Sequence, residues 1–513
     1  MSQLTFPRTQ SVKRGPAVLW LSLFVILVAF VSALVIVLGG VKYTLFLAGL
    51  LGSFFLMFVP PQWLVFVLMF YAFLVMGPVQ YFSSLDTQWV PYLMGVVLSV
   101  RALFEIALRG GKKDPGERRP RAIPPYTWAL LAFVSVALVS TALGTSSMYL
   151  LLLSARNLFF MWGVFFVLAM AMVGPSFFRS AWRALIVIGL IQLPMTFYQR
   201  FFVAAKRLDF ASWDAVVGTF VGNKDGGGDS GGMAFFVLAI ATVVIALWQR
   251  SQLSGRVVLV LLPVLFAPIM LAEVKIVYVL IPVMAVAVFR STISRRPVTF
   301  VMAMMLTGTL LAGVYTADKT LNVIKSAPSQ ELTLERRLDL ILGFSTGADI
   351  YLGGGEMGRM TALVFWWSRH RDDMLHLVVG HGLSSSVTAN RLELGSEGRK
   401  YSPLQFANST AALLLWDTGI VGLAAFILIL GFSAVSAARL ARVPAIPAYE
   451  GALLYAASVI IGSMILLLPY NVSLTGGSPA TQFLLMLMLG LVAYWNTRVG
   501  RGAGPEDAGQ KLA

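Results

Sequence analysis

Long uninterrupted apolar stretches are the feature that most constrains the fold of this chain. Runs of about 20 apolar residues recur along the sequence, and a helix of that length crosses the hydrocarbon core of a bilayer. Apolar residues make up 58% of the 513 residues and charged residues only 12%, about half of the charged fraction of a soluble domain. Because no soluble core could hide so much apolar surface, lipid is the expected solvent. The sequence therefore predicts an all-α, polytopic integral membrane protein.

The apolar runs predict about fourteen transmembrane helices. The expected spans are 17–39, 42–59, 61–77, 88–109, 126–144, 156–173, 181–202, 231–249, 256–271, 272–290, 298–316, 410–437, 451–470 and 481–497. Residues 1–316 would hold helices 1–11 with short loops and a glycine-rich periplasmic loop (203–230), and residues 317–409 a large periplasmic loop with short helices, including 329–343 and 358–378. Residues 410–497 would hold helices 12–14, and 498–513 a cytoplasmic tail.

Positive charges in the short connections set the expected orientation. If the amino terminus is cytoplasmic, every second connection, apart from the turn at Pro60, carries arginine or lysine, as cytoplasmic loops do. The basic residues concerned are Arg109, Lys112, Lys113, Arg118, Arg119, Arg121, Arg179, Arg183, Arg250, Arg256, Arg290, Arg295, Arg296, Arg439, Arg442, Arg498 and Arg501. This pattern predicts a multi-pass protein of the bacterial inner membrane with both termini cytoplasmic. It also explains the net charge of +16 without nucleic acid, because no basic patch is interleaved with stacking aromatics.

Four basic residues depart from this bias, because they fall at the outer ends of helices or in the outer loop. They are Arg156, Arg200, Lys275, next to Glu273, and Arg359. Each could simply reach lipid phosphate with its long side chain. Together they favour a cluster that binds an anionic lipid head group such as a diphosphate, since arginine offers a planar fork of donors and lysine a point charge.

All three histidines of the chain, His370, His376 and His381, lie within the outer loop. Histidine is the usual general base near neutral pH, so His381 and His376 are candidate catalytic residues. Zinc is the alternative for His and Asp in this region. We expect no metal, because the six-residue spacing of His370 and His376 puts them on opposite faces of a helix. The third interpretation is that the three are loop histidines with no catalytic or metal-binding role. The chain has no cysteine, which excludes a thiolate nucleophile or ligand.

Several short motifs, in order along residues 199–423, resemble the O-antigen ligase and polysaccharide polymerase superfamily. They are Gln199-Arg200 with Gly218-Thr219-Phe220-Val221-Gly222-Asn223, then Ala272-Glu273-Val274-Lys275, then Gly358-Arg359 with Trp366-Trp367 and Gly380-His381-Gly382-Leu383, and finally Asn408-Ser409 with Thr418-Gly419-Ile420-Val421-Gly422. The glycine-rich stretch 221–232 matches no nucleotide-binding pattern, because the lysine-serine ending of a P-loop is missing.

The resemblance implies a metal-independent glycosyltransferase without cofactors that joins undecaprenyl-diphosphate-linked glycans on the periplasmic face. Arg200, Lys275 and Arg359 would bind the lipid diphosphate, joined by Arg156 from the basic cluster described above, and Arg359 would also act in catalysis by stabilising the leaving charge. Lys224, Glu273 and Asn408 would support the site. The implied partners are the lipid-linked glycan, membrane lipid and a chain-length regulator or other polysaccharide-assembly proteins, and nucleic acid is not among them.

One departure from the family pattern bears on the reaction. The family's histidine before the asparagine of its last motif is Ala407 here, and the glutamate of that motif is Asp417. His381 or His376 would then supply the base, or the diphosphate would leave without one. This favours a polymerase of exopolysaccharide, capsule or O-antigen over a ligase that transfers the glycan to another acceptor. A transporter or flippase of lipid-linked sugars is the third hypothesis, although the two halves of the chain show no similarity.

Overall fold

The computed structural model describes most of the chain from residue 56 onward. The described residues are 56–83, 88–109, 123–144, 147–207, 215–274, 276–295, 298, 301, 305, 308, 357–388 and 393–500. The expected spans 17–39, 42–59 and 298–316 lie wholly or mostly outside this set, as do the expected loop helix 329–343, Lys275 and the tail after residue 500.

Regular structure in the described residues is helical, apart from an isolated bridge between Gly222 and Gly228. The helices are α1 (Pro61–Ser83), α2 (Trp89–Arg109), α3 (Pro125–Leu143), α4 (Met148–Phe159), α5 (Trp162–Ala169), α6 (Pro175–Lys206), α7 (Ser230–Gln249), α8 (Gly255–Leu271), α9 (Val277–Arg295), α10 (Arg359–His370), α11 (Met374–Val379), α12 (Ser396–Lys400), α13 (Thr410–Leu440), α14 (Ala448–Leu467) and α15 (Pro479–Gly500). The all-α class is confirmed.

Eight of the described helices are long and apolar enough to cross a membrane, namely α1, α2, α3, α6, α7, α13, α14 and α15. Helices α4 and α5 meet at a bend of 43° and together would make a ninth crossing. Helix α8 and the apolar part of α9 are shorter. The described residues thus have the character of a multi-pass membrane protein, while the total of fourteen spans stays a prediction.

Several sequence expectations about helix bounds are wrong. The spans expected at 61–77 and 181–202 are longer, at Pro61–Ser83 and Pro175–Lys206. The span expected at 156–173 begins at Met148, because the Ser147 hydroxyl accepts a hydrogen bond from the Leu150 amide at 3.3 Å and caps the helix. The single helix expected at 358–378 is two helices, α10 and α11. Asp373 caps the second of them by accepting a bond from the His376 amide at 3.3 Å.

The innermost helices are α7, α14 and α15, whose side chains are buried almost all round. Close packing around them uses small residues: Gly95 of α2 and Gly163 of α5 lie where the two backbones touch, with no room for a Cβ. Outer helices expose large apolar side chains such as Leu103 and Leu138. An apolar surface of this kind suits lipid and not water.

The helices present two chemically different ends. At the loop end, the described residues of 144–156, 199–229, 357–410 and 468–478 contact one another; for example, the Thr410 amide donates to the Asn471 carbonyl at 3.0 Å. At the arginine end, Arg179 binds Glu450 at 2.6 Å and Arg250 donates to the Ala441 carbonyl at 2.5 Å. Arginines from several connections that the sequence places on one side of the membrane therefore lie at one end of the bundle.

Candidate active site at the loop end

The break between α10 and α11 brings the histidines together. After His370 the chain turns through Arg371 and Asp372, and α11 starts on the cap of Asp373. Helix α11 then ends at Gly380, whose φ of 79° is a left-handed conformation that favours glycine. His370 and His376 therefore lie on different helices. The expectation that they occupy opposite faces of one helix is wrong.

The three histidines form one stacked cluster. The Nε2 atoms of His370 and His381 are 2.7 Å apart. The rings of His376 and His381 are nearly parallel, with centroids 4.1 Å apart and an interplanar angle of 10°. Trp366 stacks on His370 at 5.1 Å, and Trp416 meets the same ring edge-on at 4.7 Å. Two tryptophans thus hold His370 in the buried part of the cluster, where its side chain is only 2% exposed.

The hydrogen bonds assign the tautomers of two of these rings. The Nδ1 atom of His370 lies 2.7 Å from the Trp366 carbonyl, which can only accept, so His370 carries its proton on Nδ1. Its Nε2 then accepts from Nε2–H of His381, which leaves the lone pair of His381 on Nδ1. Burial, with the neighbouring His376 and His370, lowers the pKa of His381 to about 3, so this ring is neutral at pH 7.

His376 forms a dyad with Asp373 on the solvent side of the cluster. The Nδ1 atom of His376 donates to Asp373 Oδ2 at 2.6 Å. That hydrogen bond lowers the pKa of the Asp373 carboxyl, which stays ionised at neutral pH. Because Nδ1 carries the proton, the basic lone pair of the ring is on Nε2. The His376 side chain is 34% exposed, so part of the ring is accessible from solvent. An aspartate that fixes the tautomer of a histidine is the arrangement used for general bases.

A second acid, Glu397, lies on the other side of His381. Its Oε1 is 3.7 Å from His381 Nδ1, and its Oε2 accepts from Lys400 Nζ at 3.3 Å. The sequence analysis did not single out either residue. Their i, i+3 spacing in α12 indicates a surface ion pair, and only the fold places that pair beside the histidines.

The segment that carries His381 is anchored on α13 by a buried carboxylate. Asp417 accepts hydrogen bonds at 3.0 Å from the Ser384 amide, the Ser386 amide and the Ser385 hydroxyl. The His381 amide of the same loop also donates to α13, to the Trp416 carbonyl at 2.9 Å.

Two glycines permit this close approach of the loop to α13. Gly380 and Gly419 both have positive φ, and a Cβ on either would collide with the other backbone. Helix α13 is consequently broken at Gly419 within its own length. The glycines of the Gly380-His381 and Thr418-Gly419 motifs therefore bring the histidine loop and Asp417 into contact.

The expected diphosphate-binding arginines also lie at the loop end, in different surroundings. Arg156 falls in the last turn of α4 and not at the start of a helix. Its side chain is buried, with the guanidinium 4.6 Å from the Trp89 ring centroid and 5.2 Å from that of Tyr92. Arg359 is exposed at the first residue of α10, 4.0 Å from the Tyr470 ring centroid. Arg359 and His370 occupy the two ends of this helix, about 16 Å apart along its axis.

A buried aspartate at the end of the glycine-rich stretch binds the segment on which Arg359 packs. Asp229 accepts from Ser473 Oγ at 2.5 Å and from Asn471 Nδ2 at 3.1 Å, and Asn471 follows the tyrosine on which Arg359 packs. Burial raises the pKa of Asp229 despite these hydrogen bonds. Asp229 also caps α7 through the Gly232 amide at 2.9 Å. The sequence analysis quoted the stretch around Asp229 without giving this residue a role.

Arg200 and Glu273 are brought together as an ion pair of 2.7 Å. The preceding Gln199 accepts from the Val217 and Gly218 amides at 2.9 and 2.7 Å, which fixes the turn that the family-like motif occupies. This arrangement gives Gln199 a structural role and leaves Arg200 with a counter-ion already in place.

The two other supporting residues do not join the histidines. Lys224 is exposed, with its ammonium 5.2 Å from the Phe82 ring centroid. The Asn408 side chain donates to the Met357 carbonyl and so holds the entry to α10 two residues before Arg359. In the part of the chain that the structure describes, no group of three or more His, Asp or Glu side chains is arranged to hold a metal ion.

Comparison with known proteins finds no family model that matches this chain and no curated protein similar to it.

Proposed function

We propose that this chain is a membrane polysaccharide polymerase, a glycosyltransferase that joins lipid-diphosphate-linked oligosaccharide repeats. One observation supports the proposal above all others. The Asp373–His376 dyad, in which His376 Nδ1 and Asp373 Oδ2 are 2.6 Å apart, is held in a folded loop at one end of a bundle of apolar helices. A base at that position can act on a sugar hydroxyl whose lipid anchor stays in the bilayer.

In the proposed reaction His376 is the general base. As an acceptor hydroxyl attacks the anomeric carbon of the donor glycan, its proton passes to His376 Nε2. The new glycosidic C–O bond forms while the bond from the anomeric carbon to the diphosphate breaks, and the diphosphate leaves with the electron pair. Asp373 stabilises the imidazolium that results, because its carboxylate already binds Nδ1–H. His381 and His370 are neutral positioning residues, and the His381 ring supports the base by stacking.

The basic residues at the loop end are assigned to the lipid diphosphates of donor and acceptor. We assign Arg200, Lys275 and Arg359 to this role, as the resemblance implies, and add Arg156 as a further member of the basic cluster. The separation of about 16 Å between the ends of α10 favours a polymerase. In a polymerase, the reacting hydroxyl of the acceptor lies one oligosaccharide repeat away from the acceptor's own diphosphate. Arg359 at one end of α10 and the dyad beyond the other would then bind opposite ends of the same acceptor. In this assignment Arg359 binds the acceptor's diphosphate, which replaces the sequence expectation that Arg359 stabilises the charge of the leaving diphosphate.

The proposed topology has fourteen spans in the bacterial inner membrane, the loop 317–409 in the periplasm and both termini in the cytoplasm. Because the chain has no cysteine, single cysteines test it directly. We expect a membrane-impermeant maleimide to label Arg371→Cys at the loop end of intact cells and Arg256→Cys at the arginine end only after lysis. Labelling of Arg256→Cys alone in intact cells would reverse the topology and remove the site from the periplasm.

Deletion of the gene followed by glycan analysis tests the function. A polymerase deletion accumulates single lipid-linked repeats, whereas a ligase deletion accumulates full-length lipid-linked polymer. Complementation with His376→Gln should leave the single repeats in place, and complementation with Arg371→Gln, a neighbouring exposed position, should restore polymer. Normal polymer in the deletion strain would rule the proposal out.

A further inference from the structure

A cavity of about 330 Å³ lies at the arginine end, far along the helices from the histidine cluster. Helices α6, α7 and α14 and the turn after α7 line it. The lining residues are Arg179, Arg183, Ile186, Leu247, Gln252, Leu253, Pro447, Ala448 and Tyr449. Two arginines, an amide and a phenol therefore meet apolar side chains in one concave site, which is the composition that suits an amphiphilic anion.

The charges of the cavity are only partly compensated. Arg179 binds Glu450 through two hydrogen bonds of 2.6 and 3.2 Å, and this carboxylate is buried. Nearly half of the Arg179 side chain remains exposed, at 47%. Arg183 is exposed, and the described residues offer it no acidic partner. Because Arg183 follows Arg179 by one helical turn, the two like charges repel each other. An anion between them would relieve that repulsion.

The helix that carries Arg183 continues as an apolar, exposed stripe. Val187 and Ile191 follow at i+4 and i+8, so they lie on the same face of α6. They are 55% and 37% exposed, and this helix is long and apolar enough to cross a membrane. A phosphate at Arg183 would therefore be followed, toward the middle of the bilayer, by an exposed apolar helix face that an acyl chain can cover.

We propose that this cavity binds the head group of an anionic phospholipid, with the phosphate at Arg183 and Arg179 and one acyl chain along Val187 and Ile191. A free phosphate ion shares the head-group chemistry but makes no use of the apolar stripe. Basic pockets between membrane helices are known to bind anionic head groups. The site is separate from the proposed glycosyltransferase centre, so either proposal can fail without the other.

Native mass spectrometry of the delipidated protein, titrated with phosphatidylglycerol or phosphatidylcholine, tests the site. Arg183→Gln should bind phosphatidylglycerol about fivefold more weakly, the effect of losing one arginine's attraction to an anionic lipid. Arg183→Lys should retain most of the binding. Arg256→Gln is the matched control, because Arg256 is exposed at the same end and does not line the cavity. Arg179 is a poorer test residue, since its loss would strand the buried Glu450 carboxylate.

Preference for phosphatidylglycerol that is lost in Arg183→Gln and kept in Arg256→Gln would support the site. Equal binding of the two lipids, or equal binding by Arg183→Gln and the unaltered protein, would overturn it. Displacement of phosphatidylglycerol by inorganic phosphate at millimolar concentration would assign the cavity to a free anion and also overturn the lipid proposal.

Discussion

Replacement of Asp417 by alanine should release the loop that carries His381 from α13. The buried carboxylate is the acceptor for two backbone amides, those of Ser384 and Ser386, each at 3.0 Å. In Asp417→Ala both amides remain in the interior without this acceptor. The helices themselves do not depend on these bonds, so the effect should be local opening of residues 380–388 and not global unfolding.

The magnitude follows from the two orphaned donors. A buried N–H that loses its acceptor costs about 1–3 kcal/mol, so two of them amount to roughly 2–6 kcal/mol. Water that enters the vacated space would bring the value toward the lower half of that range. A loss of about 3 kcal/mol in the free energy of local opening corresponds to a fall of roughly a hundredfold in the protection of these amides against hydrogen exchange.

Hydrogen exchange of the detergent-solubilised protein, read by mass spectrometry on peptides covering 380–388, measures this directly. Asp372→Ala is the control, because the Asp372 side chain is 89% exposed and lies in the same loop. Peptides from α7 report on global stability and should exchange as in the unaltered protein. Unchanged protection of the 380–388 peptides in Asp417→Ala would show that the carboxylate does not anchor the loop.

Three further predictions concern pH, the basic residues and metal. Burial lowers the pKa of His381 from 6.5 to about 3. Below pH 6.5, His381 is therefore protonated in the unfolded state but stays neutral in the folded state. Stability should therefore fall with pH below that value, and the melting temperature of His381→Asn should fall less than that of the unaltered protein between about pH 7.5 and about pH 5. Arg359→Ala and Lys275→Ala should abolish chain extension at unchanged protein levels, while Arg371→Ala should extend normally; normal polymer length in the first two would refute the assignment. EDTA should leave the rate of polymer formation unchanged, and an inhibition that added metal reverses would require a metal-dependent mechanism.

Hydrophobic length predicted most of the membrane helices well. The expected spans 88–109, 126–144 and 231–249 correspond to α2, α3 and α7 within one or two residues. Apolar runs of this length have few alternatives in a bilayer, because every backbone polar group must be satisfied within the helix. The expectation needed no tertiary information for that reason.

The turn between α10 and α11, in contrast, could not be predicted from the sequence. Residues 358–378 have the composition of one amphipathic helix, and what divides them is the capping hydrogen bond of Asp373. Asp373 also binds the His376 ring, so a single side chain sets both the end of a helix and the tautomer of the proposed base. Local propensity does not report such a double role.

The other features of the site that the sequence did not predict are contacts between residues far apart in the chain. Glu397 and Lys400 reach His381 only because α12 packs beside the histidine loop. Asp417 was noted as a departure from a family motif, while its hydrogen bonds to Ser384 and Ser386 depend on the kink at Gly419. The burial of Arg156 against Trp89 and Tyr92 likewise joins residues of two helices that are more than sixty positions apart in the sequence.

The most direct test of the account is the reaction of the purified protein in lipid nanodiscs. With a lipid-diphosphate-linked oligosaccharide as donor and acceptor, the unaltered protein should form longer glycans and release lipid diphosphate. Asp373→Asn, which weakens the support of His376, should lower the rate by about 100-fold or more, whereas the exposed neighbour variant Asp372→Asn should keep the full rate. Equal rates for the two variants would contradict the role of the dyad, and absence of glycan extension by the unaltered protein would contradict the proposed function.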